Sequence, residues 1–152
     1  VKKSLFLILI SSLLFACNND NSTTCTTRIL LTDNLETVYN CTNTTNLLDV
    51  PDLNEDYIII RNNESFLEKV TGACVAEIDF SKYDMLIGKK QLTNGLNSIK
   101  YNMTIDCNQK VPVVDVTFYL NETTEAPSVT YHVFVPKLGT NQNLKVNFHM
   151  EH

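Results

Sequence analysis

The feature that most constrains this chain is a strict two-residue alternation of apolar and polar side chains through its second half. Ile99, Tyr101, Met103, Ile105 and Cys107 fall on one side of an extended segment, and Lys100, Asn102, Thr104 and Asp106 on the other. Alternate side chains of a strand point to opposite faces, so such a run predicts a strand with one face in a core. The pattern recurs at Val114, Val116, Phe118 and Leu120, at Val129, Tyr131, Val133 and Val135, and at Leu144, Val146, Phe148 and Met150. The links are Asn108–Lys110, Glu122–Ser128 with Pro127, and Lys137–Asn143 with Gly139, all of turn or loop composition. Short links between consecutive strands predict an antiparallel meander.

Upstream, Tyr57–Arg61 reads as a short strand and Asn63–Val70 as a short helix, capped by Asn63 and ended by Gly72. Met85-Leu86-Ile87 reads as a further buried strand, closed by Gly88. Asn43–Asp56, with Pro51, reads as a loop. The fold class is therefore α+β, mostly β: an antiparallel sheet or meander with one short helix. Residues 57–152 form its main domain, and residues 25–56 pack with it as one unit.

The N-terminus carries an address. Lys2 and Lys3 precede an apolar and small-residue run from Ser4 to Ala16. That is the layout of a secretory leader, and the run is short of the roughly 20 residues that span a bilayer. It ends in Leu14-Phe15-Ala16-Cys17, which resembles the lipobox of bacterial lipoproteins. The resemblance implies that residues 1–16 are a signal peptide and that Cys17 becomes an acylated N-terminus. Multiple acyl chains make a stable anchor where one chain is marginal. Residues 17–24 then read as the lipidated cysteine and a polar tether. Asn18 rather than Asp follows the cysteine, which by resemblance to lipoprotein sorting rules favours the outer membrane of a Gram-negative bacterium. The formal charge of −5 becomes more acidic when Lys2 and Lys3 leave with the leader, and no basic cluster remains for nucleic acid. The membrane is then met through the lipid alone.

With Cys17 lipidated, Cys25, Cys41, Cys74 and Cys107 remain, an even number in an oxidising compartment. Three pairings are open. Apolar runs on both sides of Asp33-Asn34 predict a hairpin that sets Cys25 opposite Cys41, which leaves Cys74 for Cys107. No Cys-x-x-Cys spacing suggests a metal instead.

Motifs for chemistry are sparse. His132 and His149 fall on the polar sides of two successive strands, which would bring them near each other, and His152 lies at the end of the sequence. No nucleophile elbow and no His-Glu-x-x-His appears, so no catalytic residue, metal ligand or cofactor besides the covalent lipid is assigned. Asp49, Asp52, Glu55 and Asp56 read as a solvated acidic loop without calcium-loop spacing. Gly88, Lys89, Lys90, Thr93, Asn94 and Gly95 read as a lysine-bearing loop that a partner protein would meet.

Ile78-Asp79-Phe80-Ser81-Lys82-Tyr83, Leu86-Ile87-Gly88-Lys89-Lys90 and Val133-Phe134-Val135-Pro136-Lys137 together resemble small envelope lipoproteins of Bacteroidetes-type bacteria. More distantly they are similar to the PrcB family of protease-complex lipoproteins, although the Pro-Thr-Gly-Gly core of that family's loop is missing here. The resemblance implies a non-enzymatic binding or accessory module for another envelope protein. It also brings in an alternative, a protease inhibitor or protease-associated subunit. A third reading is a lipoprotein that binds a glycan or small ligand. The absence of Trp weighs against that reading, and six Tyr weigh for it.

Overall fold

Each alternating run becomes a strand, but the strands divide between two sheets. The computed structural model describes residues 27–74, 76–105, 111–140, 142 and 144–152. In chain order the first elements are β1 (Arg28–Leu30), α1 (Leu35–Tyr39), α2 (Thr44–Leu47) and β2 (Leu48–Asp49). Next come β3 (Tyr57–Ile60), α3 (Asn63–Lys69), β4 (Thr71–Gly72) and β5 (Tyr83–Gln91). The long strands β6 (Leu96–Ile105), β7 (Pro112–Leu120), β8 (Ser128–Pro136) and β9 (Lys145–Glu151) follow. One sheet has the order β1-β6-β7-β9, a second β3-β5-β8, and β2 pairs with β4 in a two-stranded ribbon.

The fold is α+β, mostly β, and every strand pair but one is antiparallel. The meander holds for β6 and β7 and departs from expectation at β8. The link after Leu120 carries the chain to the second sheet, where β8 pairs with β5. The next link returns it to the first sheet, where β9 lies parallel to β7.

The three-stranded sheet is the middle layer. Leu86 of β5 and Val129, Tyr131, Val133 and Val135 of β8 pack against Met103, Val114, Val116, Phe118 and Leu120 of the other sheet. Met85, Ile87 and Phe134, with Ile60 of β3 beside them, face the opposite way, onto Leu35, Phe66 and Val50. This explains the unbroken Met85-Leu86-Ile87 run: a strand covered on both faces has no reason to alternate. Each such side chain contributes about 1.5–3 kcal/mol by leaving water.

The expected hairpin at Asp33-Asn34 does not form. Asn34 is extended, at φ −144°, and its side chain accepts from the Thr37 N–H at 2.9 Å. Thr37 Oγ1 in turn accepts from the Asn34 N–H at 2.9 Å. This reciprocal cap starts a helical turn, and Asn40, left-handed at φ 55°, ends it. Because 35–39 is helical, Cys41 is carried to Cys74, with Cα atoms 5.8 Å apart at a sequence separation of 33. The Cys41–Cys74 bond corrects both expected pairings, Cys25–Cys41 and Cys74–Cys107. Cys25 and Cys107 themselves lie outside the described residues, as do the leader, Cys17 and the tether.

The helix α3 forms where expected, one residue out of register at its cap. Asn62 makes the cap, accepting from the Ser65 N–H at 2.8 Å. Asn63 instead holds the Ile78 backbone at both polar groups, at 2.8 and 3.0 Å. Among the described residues no helix is long and apolar enough to cross a membrane.

Candidate functional site

β8 forms one border of its sheet, yet Val129–Val135 is buried throughout. Its border is therefore closed by side chains and by single backbone contacts. Tyr101 Oη accepts from the His132 N–H at 3.1 Å, and the Asp33 carbonyl accepts from the Phe134 N–H at 2.7 Å. Thr130 Oγ1 donates to the Leu48 carbonyl at 2.7 Å, which ties β8 to the end of α2. A recess of about 290 Å³ remains between α1 and α2 on one side and β6 on the other. Asn34, Glu36, Thr44, Ser98, Tyr101 and His132 are among the residues that line it.

His132 is 2 % exposed, and neither ring nitrogen has a hydrogen-bond partner among the described residues. Burial holds its pKa down at about 4, with the Glu36 carboxylate opposing the shift. The imidazole is therefore neutral at physiological pH, with one donor nitrogen and one acceptor nitrogen. Glu36 is engaged locally: its Oε1 accepts from the Thr44 N–H at 3.0 Å and from Thr44 Oγ1 at 2.8 Å. Burial also pushes the Tyr101 hydroxyl far above the usual phenol range, so it stays protonated. Among the described residues no Lys or Arg lines the recess. Such an arrangement can hold neutral polar groups. It offers no charge for a phosphate.

A second groove of about 370 Å³ continues from the recess, sharing Asn43, Thr45, Asn97, Ser98 and Ile99 with it. It runs past Gly95 and Asn121 to Thr123 and Glu125. Asn121 and Gly95 shape its floor. The Asn121 N–H donates to the Gly95 carbonyl at 2.8 Å, and the Gly95 N–H to the Thr123 carbonyl at 3.4 Å.

The lysine-bearing segment is not the loop that the sequence suggested. β5 does not stop at Gly88 but runs on to Gln91, paired with β8 as far as Ser128. A Cβ at residue 88 would lie 2.3 Å from Tyr131 Oη and 2.6 Å from the Asp56 carbonyl, so glycine here admits a neighbour's ring rather than ending a strand. Lys89 pairs with Asp49 at 2.7 Å, and Lys90 meets Glu55 at 3.8 Å and lies 6.0 Å from the centre of the Phe148 ring. The acidic loop and the two lysines, which the sequence presented as separate candidates, neutralise each other. Thr93, Asn94 and Gly95 do form a link, and Asn94 Nδ2 donates to the Thr123 carbonyl at 3.1 Å. Among the described residues no three His, Cys, Asp or Glu side chains group as a metal site.

The histidines are not brought together. β8 and β9 lie in different sheets, so His132 faces the helical layer. His149 instead stands on the outer face of β9, with Nε2 3.4 Å from Asp115 Oδ1. The sequence contained a sign of this for His132, because Thr130 and His132 interrupt a run that is otherwise apolar on both faces. A strand set in a middle layer buries its polar residues too.

β9 is the opposite kind of border strand. Among the described residues it has β7 on one side and no strand on the other, and Phe148 and Met150 are 38 % and 41 % exposed. Comparison with known protein families, curated proteins and solved structures finds no match to this chain.

Proposed function

We propose that this protein is a lipid-anchored, non-catalytic module of the cell envelope that captures another envelope protein by strand addition along β9. The observation that carries the reading is the open border of β9, seven residues long, with Phe148 and Met150 presented to solvent. An unpaired strand border offers a row of backbone donors and acceptors, and side chains at alternate positions supply selectivity. The anchor rests on Cys17 and the leader before it, and the outer membrane on Asn18. Anchoring would confine capture to partners at the same membrane.

The test uses the protein expressed in its host and recovered in detergent from the envelope. Met150→Lys places a charge on β9 at a side chain that is 41 % exposed. A dominant co-purified protein that disappears with Met150→Lys supports strand addition, and one retained at full yield removes β9 as the capture element. A protease in that position would assign the module as an inhibitor or protease subunit. Metabolic labelling with palmitate, lost on Cys17→Ala, checks the anchor.

A further inference from the structure

We infer that the recess beside His132 binds a neutral, polyhydroxylated ligand, a monosaccharide or the sugar terminus of a glycan. This site is distinct from the β9 border and does not depend on it.

The inference starts from an imbalance. A buried polar group left without a partner costs about 1–3 kcal/mol, and native proteins contain few of them. His132 has two such nitrogens in one side chain, almost wholly buried, at the wall of a recess. The recess is at the small end of the range for ligand pockets.

The lining sets the ligand's chemistry. A neutral imidazole supplies one donor and one acceptor. Asn34 and Asn43 carry amides that supply both, and Ser98 carries a hydroxyl that does the same. Vicinal hydroxyls of a sugar each donate and accept, so they match a wall of this kind. An anion would meet the Glu36 carboxylate and, among the described residues, no cation. A metal ion would find one carboxylate, already accepting two hydrogen bonds from Thr44. The adjoining groove, lined by Asn46, Asn97, Asn121 and Thr123, gives the bound sugar room to extend into a chain.

The experiment uses the full chain as processed by its host. Thermal melting is followed with single neutral monosaccharides, with the same sugars conjugated through the anomeric carbon, and with inorganic phosphate. One sugar at about a hundredfold its dissociation constant should raise Tm by roughly 5 °C or more. His132→Phe removes both nitrogens at similar volume, so its own Tm should stay level or rise while the sugar shift is lost. Ser98→Tyr, on an exposed position of β6, blocks the recess from the other wall and should also abolish the shift. A response to free sugar alone assigns a monosaccharide, and a response to the conjugate as well assigns a glycan terminus. No shift with any sugar, a shift with phosphate instead, or a sugar shift that survives both variants overturns the inference.

Discussion

β8 and β9 are both border strands, and they treat their unpaired sides in opposite ways. β8 lies inside the molecule, where an unpaired N–H has no water to turn to. Its border is therefore finished by Tyr101, Asp33 and the Thr130 hydroxyl, and the space these leave is a polar recess. β9 lies at the surface, where solvent satisfies its free side, and among the described residues no strand closes it. The comparison teaches that a strand border becomes a different kind of site according to the layer it occupies. A covered one makes an interior pocket for small polar molecules. An open one makes a template for another chain.

The largest expected effect strikes both borders at once. Phe118 is fully buried, its ring 5.7 Å from Tyr131 of β8 and 6.4 Å from Phe148 of β9. Phe118→Ala should cost about 3–5 kcal/mol by chemical denaturation. Equal loosening of the two strands by hydrogen exchange would show that one core seats them both.

Removing the Cys41–Cys74 bond should separate them. It closes a loop of 33 residues, for which chain entropy gives about 3–4 kcal/mol. The bond holds the layer that covers β8 and is remote from β9 in the fold. Replacing both cysteines with Ala should lower amide protection along β8 more than along β9. Equal losses would mean that the cover is not an independent layer.

Acid should also act on β8 through His132. Burial depresses the His132 pKa in the folded state, to about 4 from its ordinary value of 6.5. The unfolded chain therefore binds more protons between these values. The stability from keeping the ring neutral is fully present above pH 6.5 and falls as the pH drops toward 4. From pH 7 to pH 5 the loss should be about 2 kcal/mol. His132→Phe should remove that part of the slope in urea titrations at the two pH values. An unchanged slope would place the acid sensitivity elsewhere.

The smallest effect on stability belongs to β9. Met150→Lys should change it by no more than about 0.5 kcal/mol, since the side chain is 41 % exposed. A large loss would show that β9 is more deeply seated than its exposure indicates.

The strands were the readable part of the sequence, because a period of two persists over nine or ten residues in β6 and β7. The helix α3 was readable from its charges, Glu64 in the first turn and Lys69 in the last, while its cap is Asn62 rather than the expected Asn63. The segment 35–39 was not, since five residues with Thr37, Val38 and Tyr39 favour a strand by propensity, and only the Asn34–Thr37 spacing hinted at a cap. The expected Cys25–Cys41 pairing depends on a hairpin at Asp33-Asn34, and the helical turn formed there instead sends Cys41 to Cys74. The recess was hidden for another reason. It is assembled from α1, α2, β6 and β8, and no local pattern reports which border of a sheet another layer will cover. His132 was visible as a polar residue on an alternating strand, but alternation does not say whether the second face meets water.

The parallel seat of β9 has a consequence for how the chain reaches this state. β6 and β7 form a local hairpin, but Val113 pairs with Lys145 only after β8 has crossed to the other sheet and the chain has come back. Until then the flank of β7 stands open beside Val114, Val116 and Phe118, a condition that invites pairing with a second nascent copy. β9 acts as a late-arriving clasp. A chain cut before Lys145 should refold in a yield that falls as concentration rises, and fusions placed directly on residues 145–151 should aggregate where the same fusions at the other end do not.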